Sequence, residues 1–182
     1  MTSQHEGGFV CQFVTDPPEA IQSECPVCRL IIRNPFQATC CGLGYCQACI
    51  EQIKVNNDPC PSCKQQKFNT FEDKRLKRLL YVLNVYCSHQ AKGCQWKGEL
   101  GQLDNHLNLN PSTEKQLEGC QYTKVQCIHC FEPLQRSGIL MHQINDCPKR
   151  PFSCEYCKMF TSNYQEVAIK HWSECGYYII QC

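Results

Sequence analysis

The spacing of cysteine and histidine constrains this chain more than any other feature. Nineteen of its 182 residues are cysteine, a density that marks a scaffold held by covalent or metal links. Several small stapled modules fit that usage better than one large apolar core. Disulfides and zinc are the two readings of such a chain. The opening residues, MTSQHEGGFVCQFVTDPPEAIQSE, carry neither the basic nor the apolar region of a secretory signal. No run approaches the roughly 18 apolar residues of a membrane span. Cys-x-x-Cys pairs stand at Cys25/Cys28, Cys46/Cys49, Cys60/Cys63, Cys127/Cys130 and Cys154/Cys157. Such pairs form the arms of zinc knuckles, so these thiols are expected as metal ligands in a cytoplasmic protein.

Beyond residue 86 the ligands repeat. The first unit is Cys87-x6-Cys94-x11-His106-x13-Cys120. The second is Cys127-x2-Cys130-x11-His142-x4-Cys147, and the third is Cys154-x2-Cys157-x13-His171-x3-Cys175. Cys120 to Cys127, Cys147 to Cys154 and Cys175 to Cys182 are each 7 residues apart. From the last interval, Cys182 is expected to open a truncated fourth finger. Three thiolates and one imidazole complete a tetrahedral site with no open position, so each unit is a structural zinc site. The cysteine pair is expected on a short hairpin and the histidine on a short helix. Ser137–His142 reads as one such helix, and Ser162 or Asn163 as the cap of another running from Glu166 to His171. His106, His142 and His171 fall in one slot and are read as ligands. His5, His89 and His129 are read as ordinary surface histidines. Units this short depend on zinc for their folding energy, and the constant spacers predict a semi-rigid rod of fingers touching end to end.

Residues 25–63 hold eight more ligands: Cys25, Cys28, Cys40, Cys41, Cys46, Cys49, Cys60 and Cys63. Eight ligands make two zinc sites, for five zinc ions in the chain. Four successive pairs suit a cross-brace, in which the first and third pairs share one metal and the second and fourth share the other. The stretches CPVC, GYCQACI and PCPSC resemble a RING domain. This chain departs from the usual pattern at Leu43, where a RING places a histidine. Either Cys40 and Cys41 both reach the second metal, with Gly42 and Gly44 giving the turn room, or that site is weak and Cys40 is a buried free thiol.

Between the modules, Leu76, Leu79, Leu80 and Leu83 follow helical spacing. Lys74, Arg75, Lys77 and Arg78 beside them read as a solvated face. The order of RING, helical linker and Cys-Cys-His-Cys fingers resembles the N-terminal half of the TRAF family of signalling adaptors. The run from Asp73 through Leu76, Arg78, Leu79, Leu83 and Val85 to Cys87 is similar to that family's linker helix. Gly93-Cys94-Gln95-Trp96-Lys97-Gly98-Glu99-Leu100 is similar to its first-finger signature. The x13 loop before Cys120 departs from the family spacing and is expected as a polar surface insertion.

The expected fold class is a set of small zinc-stabilised α+β modules, a RING cross-brace followed by a rod of ββα-like TRAF-type zinc fingers. Residues 1–24 are expected as a disordered N-terminal segment, 25–63 as the RING and 64–86 as a helical linker. The fingers are 87–120, 127–147 and 154–175. The resemblance implies a RING-type E3 ubiquitin ligase without a covalent intermediate, whose partners are an E2 enzyme and ubiquitin. The implied E2 and ubiquitin contacts are Val27, Ile53, Pro61 and Lys64. Ile53 reads equally well as core packing, and Arg29 occupies a position that is apolar in active members. Phe71 resembles the aromatic of the family's RING homodimer, and it equally suits packing of the linker helix. Receptor or adaptor docking would use regions this chain lacks. The alternative is a non-catalytic adaptor built on the same zinc scaffold. A net charge of +1 and Cys3His slots argue against nucleic acid. No nucleophile and base pair is evident, and Cys11 reads as a spare surface thiol.

Overall fold

A computed structural model describes residues 7–108 and 117–177. The chain divides into two compact units, Met1–Asp104 and Asn105–Cys182. His5 and Cys182 lie outside the described residues.

In the first unit, strands β1 (Pro35–Ala38), β2 (Gly44–Cys46) and β3 (Thr70–Glu72) form one antiparallel sheet in the order β2-β1-β3. Helix α1 (Gln47–Val55) follows β2 and buries Cys49 and Ile50. The expected linker contributes a strand as well as a helix. Phe36 pairs with both Tyr45 and Glu72, so β3 is the third strand of the RING sheet. The Asp73 carboxylate then accepts a hydrogen bond from the Leu76 N–H at 2.8 Å and caps helix α2 (Lys74–Tyr81). Leu80 is the fully buried leucine of that helix, while Leu79 is exposed. Strand β4 (Asn84–Tyr86) pairs with β5 (Lys97–Glu99), so the first finger's hairpin starts before Cys87.

The expectation of a disordered segment over 1–24 is corrected for residues 7–24. Phe9 is 2% exposed and its N–H donates to the Ile31 carbonyl at 2.8 Å. Its ring meets Tyr81 edge-on at 5.9 Å, and the Arg33 guanidinium stacks over it at 4.3 Å. Gly8 allows this approach, since a Cβ there would stand 2.2 Å from the Ile31 carbonyl oxygen. Further on, Val14 donates to Asn84 and Tyr86 donates to Gln12, both at 2.9 Å. The Gln22 side-chain amide exchanges two 2.8 Å hydrogen bonds with the Gly44 backbone. Local composition hid this strap because its partners lie far along the chain.

The second unit repeats a simpler plan. Strands β6 (Lys124–Gln126) and β7 (Pro133–Gln135) form a hairpin followed by helix α4 (Arg136–Met141). Strands β8 (Pro151–Ser153) and β9 (Thr161–Asn163) form the next, followed by helical residues through Glu174. Helix α3 (Leu103–Leu107) carries His106. Buried Leu103, Ile139 and Val167 lie three or four residues before His106, His142 and His171. That spacing puts each histidine on the same helix face as a core side chain. A widened turn over His142–Asp146 lets the Cys147 N–H bond back to the His142 carbonyl. Asn163 caps the helical stretch that carries His171 through the Glu166 N–H, and Ser162 donates to the Glu166 carboxylate.

The strap generates a stability prediction. Phe9→Ala removes a buried ring and its cation–π partner, and should destabilise the first unit by about 3 kcal/mol. Denaturant unfolding of the purified chain measures this.

Candidate metal centres

Four pairs of residues share one local geometry, and that geometry builds the sites. In Cys25–Arg29, Cys60–Lys64, Cys127–Phe131 and Cys154–Lys158, the last residue's N–H donates to the first cysteine's carbonyl at 2.9 Å. Arg29, Lys64, Phe131 and Lys158 all take left-handed backbone angles, with φ of 61, 63, 63 and 56°. The tight turn aims both sulfurs of a pair the same way. It also points backbone N–H groups at the first sulfur: the His129 N–H lies 3.4 Å from Cys127 Sγ.

The vicinal cysteines occupy a shifted version of this turn. Gly42 donates to Ala38 at 2.9 Å and Ala38 donates to Leu43 at 3.0 Å. The same pattern joins Arg29, Cys25 and Leu30. Ala38 therefore stands where a knuckle has its first cysteine, Cys41 stands at the second, and Gly42 takes the left-handed position with φ 72°. Cys40, one residue inside, supplies the sulfur that Ala38 lacks.

Five groups of four donors result. They are Cys25, Cys28, Cys46 and Cys49; Cys40, Cys41, Cys60 and Cys63; Cys87, Cys94, His106 and Cys120; Cys127, Cys130, His142 and Cys147; and Cys154, Cys157, His171 and Cys175. Within each group all donor atoms lie within 4.8 Å of one another. The first two groups interleave along the chain as a cross-brace. His89 and His129 belong to none of the five.

The distances suit zinc. Cys28 and Cys46, Cys41 and Cys60, and Cys127 and Cys147 have sulfurs 3.8 Å apart, and Cys154 and Cys175 are 3.9 Å apart. A disulfide needs about 2.05 Å, whereas a tetrahedron with ~2.3 Å zinc–sulfur arms has edges of about 3.8 Å. The Nε2 atoms of His142 and His171 lie 3.2 and 3.3 Å from Cys130 and Cys157 Sγ. Phe160 stacks on the His171 ring at 4.3 Å and holds its plane.

The thiols' electrostatics point the same way. The hydrogen bond from Cys46, with backbone N–H groups, pulls Cys25 down to about 4 against burial, and the same bond pushes Cys46 up. Burial and the charges of Cys25 and Cys28 push Cys49 up to about 12. Burial and hydrogen bonds with Cys63 and Cys60 push Cys40 up to about 12. Burial opposes ionisation of Cys60, yet N–H groups of Cys63 and Ser62 bring it down to about 6. One thiolate in a group thus keeps its neighbours protonated. A dication reverses that by letting several ionise together and releasing their protons.

Two supporting residues escaped the sequence reading. Tyr45 is fully buried. Its hydroxyl lies 2.6 Å from Ser62 Oγ and 3.6 and 3.7 Å from the Cys41 and Cys60 sulfurs, and burial pushes its pKa up. Arg136 is 1% exposed. An aromatic beside a ligand and an arginine opening a helix are common surface features, so neither announced itself.

The residues expected as E2 contacts differ in exposure. Val27 is 42% exposed at the tip of the first knuckle. Pro61 is half-buried in the fourth pair, Lys64 is exposed beside it, and Ile53 is half-buried on α1. Arg29 forms an exposed 3.6 Å ion pair with Glu24. Phe71 is 50% exposed on the edge strand β3. Cys11 is partly buried, and burial pushes its thiol up to about 11, which makes it a poor nucleophile. Among the described residues, no helix is long and apolar enough to cross a membrane.

Two cross-braced clusters followed by three Cys3His clusters, each finger built as a hairpin and a helix, define a RING and zinc-finger protein. No protein-family model matches the chain. TNF receptor-associated factor 6 of Mus musculus is 34% identical over 178 residues, 96% of this chain and 30% of that protein. The Homo sapiens protein of the same name is 32% identical over 153 residues, 82% of this chain and 26% of that protein. That of Xenopus tropicalis is 29% identical over 178 residues, 96% of this chain and 29% of that protein. The chain thus spans under a third of the length of these relatives. Over this RING and zinc-finger region the chain is a homologue of these members of the TNF receptor-associated factor (TRAF) family.

Two measurements test the centres. Native mass spectrometry should count five zinc ions per chain, and Cys40→Ser should lower that count to four. A strong chelator should unfold the fingers, seen as loss of far-ultraviolet circular dichroism, because each hairpin and helix has little other core.

Proposed function

We propose that this chain is the ubiquitin-ligase region of a cytoplasmic TRAF-type signalling protein. Its RING binds a ubiquitin-charged E2 and promotes attack by a substrate lysine on the thioester. The observation that carries this reading is the apolar Val27 left 42% exposed on a knuckle held by the first cluster. Pro61 and Ile53 add apolar surface on the fourth pair and on α1. Lys64 supplies a cation next to the last ligand, where it would meet both the E2 and ubiquitin.

The chain's role is positioning. A charged E2 is flexible, and holding its thioester in one reactive arrangement raises the effective concentration of the attacking amine. Zinc, when bound, fixes the knuckles and leaves no open position for a substrate. The reading needs no thioester on this chain: among the described residues every cysteine but the partly buried Cys11 belongs to one of the five groups. Phe71, exposed on an edge strand, would meet its counterpart in a RING homodimer. Partners such as receptors or adaptors would be reached through other parts of a longer protein.

A second reading, a non-catalytic adaptor, is favoured by Arg29. Its exposed cation stands one residue from the second ligand, where it would oppose an apolar E2 surface.

Discharge of ubiquitin from a loaded E2 onto free lysine separates the two. Val27→Asp should slow discharge by about tenfold or more at unchanged zinc content. Lys64→Gly is the cleaner probe of the cation. The left-handed backbone at φ 63° suits glycine, so lost discharge there reads as a lost contact and not as strain. No discharge with any E2, at full zinc content, would move the chain to the adaptor class. Phe71→Ala should convert dimers to monomers in sedimentation; a wild-type chain that is monomeric at high concentration removes the dimer.

A further inference from the structure

The last cysteine of a finger stands outside the paired ligands and follows the histidine by a wide turn or a long stretch of chain. In two successive fingers its backbone carbonyl is held by a guanidinium.

Arg136 opens α4 of the second finger, and its side chain turns back toward the residues of the preceding loop. Nη1 donates to the Cys120 carbonyl at 2.8 Å and to the Leu107 carbonyl at 3.1 Å, and Nη2 donates to the Asn108 carbonyl at 2.6 Å. The group is 1% exposed. These carbonyls flank both ends of the segment between His106 and Cys120. The same ends are tied by the Cys120 N–H to the His106 carbonyl at 2.7 Å and by the Asn108 amide to the Glu118 carbonyl at 3.0 Å. Gly119 leaves room for this, since a Cβ there would stand 2.9 Å from Arg136 Nη1.

Arg150 reaches the equivalent carbonyl from a different place in the chain. It sits in the spacer after Cys147, and its Nη1 donates to the Cys147 carbonyl at 2.9 Å. Its guanidinium stacks 3.7 Å above Tyr164, at the start of the third finger's helix. Tyr164 N–H in turn donates to the Arg150 carbonyl at 2.9 Å. The two arginines occupy different positions in the repeat, so their agreement on one carbonyl is not inherited register. A guanidinium suits the task because its planar fork serves several acceptors and keeps its charge when buried.

We propose that Arg136 and Arg150 are positioning residues that clamp the closing cysteine of one finger to the body of the next, so that each finger's grip on zinc depends on its C-terminal neighbour. This rests on reading the clusters as zinc sites.

The test is pulsed thiol alkylation of the zinc-loaded chain after a chelator is added, with peptide mass spectrometry resolving each cysteine. A zinc count of the untreated chain checks the metal reading separately. Arg136→Gln should expose Cys120 about tenfold faster, or more, while Cys127, Cys130 and Cys147 keep their wild-type rates. Arg136→Lys should fall between, since one ammonium cannot serve three carbonyls with the same geometry. Arg150→Gln should likewise release Cys147 ahead of Cys154 and Cys157. Wild-type release in either variant overturns the proposal. Equal release from both fingers also overturns it, because the arginine is then a core residue of one finger and no clamp between two.

Discussion

The whole molecule rests on gathering four sulfur or nitrogen donors into a volume where they would repel one another without a cation. Each group confines its donor atoms within 4.8 Å, and the thiols' own charges hold some neighbours protonated. The chain meets this cost with backbone geometry. Knuckle turns point N–H groups at the sulfurs and accept left-handed angles at Arg29, Lys64, Phe131 and Lys158. A left-handed residue with a side chain costs roughly 1–2 kcal/mol, which a metal site worth about 10 kcal/mol or more absorbs. Zinc thereby replaces the apolar interior that modules this small cannot build.

Around that constraint the two parts of the chain use different supports. The RING has a three-stranded sheet, the fully buried Tyr45 beside its second cluster, and a strap whose Phe9 is sandwiched by Arg33 and Tyr81. The second unit has little more than one hairpin residue and one helix residue per finger, such as Val125 and Ile139. It adds arginines that span from one finger to the next. A surface offered to a partner can be held rigid in both cases, by a packed core in one and by chained metal sites in the other.

Much of the site was legible because zinc coordination is local. Cys-x-x-Cys spacing, the histidine slot and the seven-residue interval each follow from reach along the backbone. Four of the five groups could be written from them. The departure at Leu43 was legible as a gap, and the sequence offered two resolutions of it. The structure's reason for joining Cys40 to Cys41 is a hydrogen-bonding pattern, Gly42 to Ala38 and Ala38 to Leu43, which no spacing rule contains.

The remainder was set by contacts between residues far apart in sequence. Residues 7–24 look like a polar lead-in, yet they are ordered by Ile31, Asn84 and Tyr81. Thr70–Glu72 looked like part of a helical linker, but its strand is defined by pairing with β1. Arg136 is a charged residue at a helix start until three carbonyls enclose it. The sequence by itself determined the order of the candidate metal ligands and, Cys40 apart, their grouping, because ligand spacing is a short-range property of the chain. Only the tertiary structure decided which ordinary residues hold those ligands in place, because a strap, a third strand and a buried guanidinium exist only once distant segments have met.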